Sequence, residues 1–372
     1  MCIRDRTVGY SWEEVPHDNR HKRLIKQLNQ IMPMDRYLNL MISAFAGGSK
    51  DKCIIEIGGA SNGKSTLNDT VAPCLFGQYY QKVGGSLFCS HKNPDKDIVL
   101  GTGKPCPEAL KLEGKRYIVS GEPASSNGKV RLNQENLKQI LGGDIIAERN
   151  GFDFTLDRLG FTHTGQIHIH LNSDPVFNPN KAMRRRLLLI NYPSEFITEG
   201  EYESIKRSND WTDADMEERC KYKTDSTLTN FLREKSTGQA LFQLCVEKHR
   251  RNIAEGYNIC DGYIISAEEM ALTEETFDEL DCFDRFISDT YDIVAEDRAE
   301  NRYPLIQLRK DYDKYLSQHD RKDPLSLSEL KQKLSRVKGI RYNDKKAKDC
   351  TGSISRCIIG LRKKAETDKD DL

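Results

Sequence analysis

The chain has 372 residues, with 57 Lys+Arg against 57 Asp+Glu, so it is neither a uniformly basic nucleic-acid coat nor an acidic solvating tail. That length allows two or three domains with a full core. Eleven Cys, an odd number without C-x-x-C spacing, argue against a disulfide framework or a zinc site and fit a reducing cytosol or nucleus. No apolar run approaches the ~18 residues that a membrane span requires. The N-terminus has no apolar signal core.

In chain order, Met1–Arg6 fit poorly with the residues after them, and residues 1–20 read as non-native sequence or a linker. The chain as a whole reads as the C-terminal part of something longer. Residues 21–50 form a helical lead-in. Leu24, Ile25, Leu28 and Ile31 recur at helical spacing, then Tyr37, Leu38, Leu40 and Met41, with Pro33 as the break. Residues 51–195 read as one core. Short apolar strands at 53–57, 116–120, 166–171 and 187–192 alternate there with polar and helical stretches, the pattern of a parallel α/β sheet.

Residues 196–275 come next as a helical segment, with Leu241, Leu244, Cys245 and His249 at suitable spacing within 225–255. Residues 276–365 read as a separate small domain. One helix carries Phe283, Phe286 and Ile287, and another Leu308, Tyr312, Tyr315 and Leu316. A third opens with a capping box, Ser326-x-x-Glu329, and runs through Leu327, Leu330, Leu334 and Val337. Two short strands are expected near 339–342 and 354–361, separated by Lys345-Lys346-Ala347-Lys348. Helices followed by a basic hairpin suggest a winged helix. Residues 366–372 read as a disordered tail.

The net charge of zero hides an asymmetry. Residues 268–300 hold thirteen acids against two Arg, and residues 331–364 hold twelve Lys/Arg against two Asp. Each run is ordinarily a solvated surface. A basic stretch confined to one small unit is still the better nucleic-acid candidate.

The most specific motif lies early. Gly58-Gly59-Ala60-Ser61-Asn62-Gly63-Lys64-Ser65 fits G-x-x-x-x-G-K-[ST], and it stands between an apolar strand and a helix start at Thr66-Leu67. Gly58 and Gly63 allow the backbone to wrap a phosphate chain with N–H groups inward. The helix N-terminus adds partial positive charge. Lys64 would reach the β- and γ-phosphates of ATP, and the Ser65 hydroxyl would bind Mg²⁺.

Further along, strand 116–120 ends in Gly121-Glu122-Pro123, and Glu122 stands where a P-loop ATPase polarises attacking water. Taken alone it is as well read as a surface turn. Leu137-Lys138-Gln139-Ile140-Leu141 ends in Gly142-Gly143-Asp144, an ordinary glycine-terminated helix. The strand Ile167-His168-Ile169-His170-Leu171 ends in Asn172, which can hold the lytic water or sense the γ-phosphate. His168 and His170 share a face and superficially resemble a metal pair, but no third ligand stands at plausible spacing. Arg184-Arg185-Arg186 precede the last strand as a solvated edge or an arginine finger.

Five elements in this order resemble one family. They are Asn-Gly-Lys-Ser-Thr (62–66), Glu-Gly-Lys-Arg (113–116) leading to Ser-Gly-Glu-Pro (120–123), Leu-Lys-Gln-Ile-Leu-Gly-Gly-Asp (137–144), the strand ending in Asn172, and Arg-Arg-Leu (185–187). The chain resembles, over residues 23–365, the superfamily 3 helicases, specifically the poxvirus-type primase–helicases of large DNA viruses, phages and mobile elements. The resemblance implies a P-loop, AAA+-like parallel sheet core in a hexameric ring, then a helical segment and a winged-helix-like domain. It implies ATP and Mg²⁺ as cofactors and single-stranded DNA as partner, with a primase domain upstream or in trans. Location would be the host cytoplasm or a viral replication site.

By the same resemblance, Gly58, Asn62, Gly63, Lys64, Ser65 and Thr66 bind nucleotide. Ser65 and Glu122 serve the metal, Glu122 is the catalytic carboxylate, Asn172 the sensor, and Arg186 with Arg185 the finger. Lys138, Gly143-Asp144 and Arg149 match an extra motif of the family, and Lys138 and Arg149 are expected at DNA. Residues 150–165, including Arg158, would face DNA, as would Lys345, Lys346 and Lys348. Two departures stand out. Glu56 interrupts an otherwise apolar strand, and Gly121 occupies the place of a second acid. Two other functions fit less of the chain: a non-hydrolysing DNA-binding module on the same fold, and a P-loop enzyme acting on a small substrate.

Overall fold

The computed structural model describes residues 7–9, 16–47, 51–91, 97–101, 106–121, 130–147, 160–173, 175, 177, 179–257, 265–280, 282–294, 296–318, 327–335, 337 and 339–364. These divide into two compact units, Met1–Thr276 and Phe277–Leu372.

The first unit opens with α1 (Asn19–Ile31) and α2 (Met34–Ala46). The Asp18 carboxylate caps α1 by accepting from the Arg20 and His21 N–H groups at 2.9 and 3.2 Å. Pro33 separates the helices and serves as N-cap of α2. Next come β1 (Cys53–Ile57), a π-helical turn (Thr66–Val71) running into α3 (Ala72–Phe76), β2 (Tyr80–Val83), α4 (Pro107–Leu110) and β3 (Tyr117–Ser120). After these stand α5 (Gln134–Leu141), β4 (Ile145–Ile146), β5 (Phe161–Thr162), β6 (Gln166–Leu171), α6 (Lys181–Arg184) and β7 (Leu187–Asn191). The unit continues through β8 (Glu195–Ile197), α7 (Glu199–Asn209), α8 (Asp213–Glu218), β9 (Lys221–Lys223), α9 (Leu228–Arg233) and α10 (Lys235–Ala254), and the division between the units falls within α11 (Ala267–Leu280).

Five strands form one parallel sheet in the order β2-β3-β6-β1-β7. This is the mixed α/β fold with a parallel core that the alternating pattern predicts. Its inner strands are buried on both faces, which is why they read as continuous apolar runs rather than alternating ones. On one face, Ile54, Tyr117, Val119 and Ile190 pack with the apolar sides of α1, α2, α3 and α10. Edge strand β7 does not present a bare ladder to a second chain. Its Leu189 N–H donates to Thr273 Oγ1 on α11 at 3.0 Å, and Arg184 pairs with Glu274 on the same helix.

The second unit holds α12 (Cys282–Thr290), β10 (Tyr291–Ile293), β11 (Arg302–Pro304), α13 (Leu305–Gln318), α14 (Leu327–Leu334), β12 (Arg341–Lys348), β13 (Ile354–Ile359) and β14 (Leu361–Lys363). Phe283, Phe286, Leu308, Tyr312, Leu330, Leu334 and Ile358 meet in one apolar core. Leu327, expected on the buried face of its helix, is instead 39% exposed. Ser326 of the expected capping box lies outside the described residues, as does the tail 366–372.

One expectation is corrected. Residues Lys345-Lys346-Ala347-Lys348 do not separate two short strands; they are the second half of β12, with Ala347 opposite Ser355 and Lys348 opposite Ile354. The turn lies later and is organised by Asp349. That carboxylate accepts from Thr351 N (2.9 Å), Thr351 Oγ1 (2.6 Å), Ser353 N (3.2 Å) and Ser355 Oγ (2.5 Å). A short polar side chain that turns the backbone around itself outcompetes a Lys run as a turn former.

Candidate functional site

In a parallel sheet, ligands bind outside the carboxyl ends of the strands. Here that edge gathers the loop after β1, Asn172 after β6 and Gly121 after β3. Neighbouring strands lie ~4.8 Å apart, so the three positions span roughly 10 Å. Glu122 itself lies outside the described residues.

The loop has the backbone that its composition predicts. Gly58, Ser61 and Gly63 have φ of 155°, 56° and 86°. A Cβ on Gly63 would stand 2.7 Å from Ile31, and one on Gly58 would stand 2.8 Å from the Tyr192 carbonyl oxygen. Both positions therefore need glycine for space as well as for φ. The loop is tied on both sides: Tyr192 N–H donates to Ile57 O and Phe196 N–H to Ser61 O, each at 2.8 Å.

Lys64 is only 5% exposed. Its ammonium donates to the carbonyls of Gly58, Gly59 (3.3 Å) and Leu171 (3.1 Å), so it turns back over the loop. Leu171 O also accepts from Gly58 N–H at 3.3 Å, which joins the end of β6 to the loop. The Asn62 side chain accepts from Lys64 N–H at 3.2 Å, while its buried Nδ2 has no partner. Ser65 is exposed and Thr66 half-buried. An orphaned amide donor, a folded-back ammonium and a loop with left-handed backbone at Ser61 and Gly63 suit a polyphosphate with its Mg²⁺. Lys64 and the loop N–H groups would hold the phosphates and Ser65 the cation, which would supply charge neutralisation.

Beneath the loop is a feature that sequence reasoning saw only in pieces. Glu56 on β1 is fully buried. Its carboxylate accepts from Asn68 Nδ2 at 2.6 Å and faces His168 Nδ1 at 2.7 Å and His170 Nε2 at 3.2 Å. Burial pushes this acid up, but the hydrogen bonds to His168 and His170 outweigh it and hold it well below the usual carboxylate range. Burial pulls His168 down against the opposing pull of Glu56, so a neutral imidazole donating from Nδ1 matches both directions. Tyr117 O–H donates to Asn68 Oδ1 at 2.5 Å, and its ring stacks on His168 with centroids 4.2 Å apart. The expected interruption of the strand and the two histidines on one face are thus a single network. Among the described residues no group of three or more His, Cys, Asp and Glu could hold a metal ion. Asn68 and Tyr117 were missed, because only the packing of the π-helical turn on the sheet and the register of β3 on β6 bring them to Glu56 and His168.

The arginines stand at the opposite end of the sheet. Leu187 pairs with Cys53, so Arg185 and Arg186 precede the strand edge farthest from the loop. Arg186 is 7% exposed, and its Nη1 donates to Ala182 O at 3.1 Å. Burial and the neighbouring Arg185 lower its affinity for a proton, against Asp51 and Asp144. Arg185 is exposed. A five-residue strand is about 17 Å long, so neither can reach the loop of its own chain.

Of the residues expected at DNA, Lys138 is half-buried on α5. β4 and β5 pair antiparallel as Ile145 with Thr162 and Ile146 with Phe161, and Arg149 and Arg158 lie outside the described residues. Lys345, Lys346 and Lys348 lie on β12, with Lys346 and Lys348 exposed.

No family model and no curated protein matches the chain. Among solved structures it is similar to the A form apo structure of the NrS-1 C terminal region, at 12% identity and a TM-score of 0.47, over 96% of this chain and 79% of that chain. The apo structure of the NrS-1 C terminal region superposes with the same figures, 12% identity, a TM-score of 0.47, and 96% and 79% coverage. Superposition this loose carries no weight for function.

Proposed function

We propose that this chain is the ATPase motor of a superfamily 3-type DNA helicase, driving single-stranded DNA through a ring of its own copies. The observation that carries the reading is the edge of the sheet: a P-loop of the required backbone, with Lys64 folded over it, beside a strand that ends in Asn172. Lys64 and Ser65 bind ATP and Mg²⁺. Asn172 reports on the γ-phosphate, and Glu122 polarises the water. Arg185, exposed and remote from its own loop, is better placed than buried Arg186 to reach a neighbour's nucleotide. Ile145–Ile146 and Phe161–Thr162 form the base of the hairpin that meets DNA, and the basic strand β12 of a winged-helix-like unit grips it.

The deciding experiment is ATP turnover with and without single-stranded DNA, on the wild type and Lys64→Ala. Turnover that DNA stimulates and Lys64→Ala abolishes supports the motor. DNA binding without turnover would favour a non-hydrolysing module.

A further inference from the structure

A carboxylate in the middle of a sheet buried on both faces costs several kcal/mol unless its oxygens are well paired. Glu56 meets that condition with partners from two separate elements, Asn68 on the π-helical turn and His168 with His170 on β6. We infer that Glu56 is a positioning residue that couples β6, and Asn172 at its end, to the loop around Lys64. The inference rests on the nucleotide-site reading above.

The coupling has two layers. At the surface, Leu171 O receives both the Gly58 N–H and the Lys64 ammonium. Below it, Glu56 grips His168 on one side and Asn68 on the other. Asn68 Nδ2 also donates to the Lys64 carbonyl at 3.1 Å, so the amide that Glu56 holds in turn holds the residue that carries the loop cation. Tyr117 from β3 fixes the orientation of that amide by donating to its oxygen. The Tyr192 hydroxyl joins both Asn68 and Glu56 from the chain just after β7. A shift of β6 must therefore break the Glu56–His168 contact or drag Asn68, and with it the turn at Lys64. Close-packed interiors transmit such shifts rather than absorbing them.

A merely structural glue would make the same contacts but would act independently of Asn172. A double-mutant cycle separates the two cases. Glu56→Gln, Asn172→Ala and the double variant are compared for ATP turnover and for binding of a fluorescent ADP analogue. Glu56→Gln keeps the shape but sets an amide donor against either Asn68 or His168. The expected result is cooperative unfolding, retained nucleotide binding and lower turnover for each single variant, by up to about 10²-fold for Glu56→Gln, which misplaces the group that Asn172→Ala removes. The double variant should lose no more than the worse single. Losses that multiply overturn the coupling while leaving the nucleotide site standing. A wild type that neither binds the analogue nor hydrolyses ATP overturns the nucleotide reading, and the inference falls with it. If Glu56→Gln does not fold, Tyr117→Phe removes only the hydroxyl on Asn68 and enters the same cycle with the same two outcomes.

Discussion

Lys64 shows how much one side chain can be asked to do. Its ammonium donates to the backbone carbonyls of Gly58, Gly59 and Leu171, which are weaker partners than the phosphate oxygens of ATP, because charge on both sides roughly doubles a hydrogen bond. In the proposed site, nucleotide would exchange the contacts to Gly58 and Leu171 for stronger ones and so free the end of β6. Glu122 carries the complementary prediction. Glu122→Gln should leave nucleotide affinity near the wild-type value and lower turnover by about 10²–10⁴-fold, the range of a positioned base. Equilibrium binding and steady-state hydrolysis on the same preparation check it. Near-normal hydrolysis would move the role to another carboxylate.

At the scale of elements, the turn between β5 and β6 holds a pH-sensitive residue. Both ring nitrogens of His163 are buried, and burial, opposed by the Gly165 backbone, pushes its pKa from 6.5 down to about 4. The unfolded chain then takes up the proton first as pH falls. Stability is lost between about 6.5 and about 4, and regained as pH rises through that window. His163→Phe should remove this contribution. From neutral pH to about pH 5, the thermal midpoint of the wild type should fall further than that of the variant. Equal falls would place the proton uptake elsewhere. Strand β12 yields a second test. Its lysines stand on a strand, held by the Asp349 turn, rather than in a loose loop. Replacing Lys345, Lys346 and Lys348 with Ala should weaken single-stranded DNA binding and reduce the log–log salt slope by roughly one unit per lost phosphate contact. DNA stimulation of the remaining turnover should persist. An unchanged slope would remove β12 from the DNA surface.

For the molecule as a whole, the proposed finger has a consequence for assembly. Arg185, exposed at the end of the sheet away from its own P-loop, would have to serve another copy. Mixing Arg185→Ala with Lys64→Ala protein, each inactive alone, should restore part of the turnover, because mixed assemblies contain sites with both groups intact. The same mixture made with Arg186→Ala measures whether the buried neighbour can substitute. Light scattering with ATP and single-stranded DNA should show the assembly that complementation requires. Particles of single-chain mass together with full wild-type turnover would end the shared-site account.

The motif and the four core strands were legible in the sequence because both are local. A P-loop needs particular residues at fixed spacing, and a doubly buried strand needs a continuous apolar run, as at Ile54–Ile55 and Leu187–Ile190. The short pairings β8 with β9 and β10 with β14 were not legible, since three-residue strands carry too little pattern. Nor was the turn at Asp349, where hydrogen bonds from residues up to six positions on outweighed the visible Lys run. By itself the sequence determined the class of fold, the phosphate loop and the candidate residues around it. Only the tertiary structure decided that Glu56, a misfit in its own strand, is the partner of Asn68 and His168. It alone decided that Arg186 turns inward while Arg185 faces water. Those facts depend on which strand lies beside which and in what register. Such non-local pairing follows from packing the whole chain and leaves no periodic trace in any one segment.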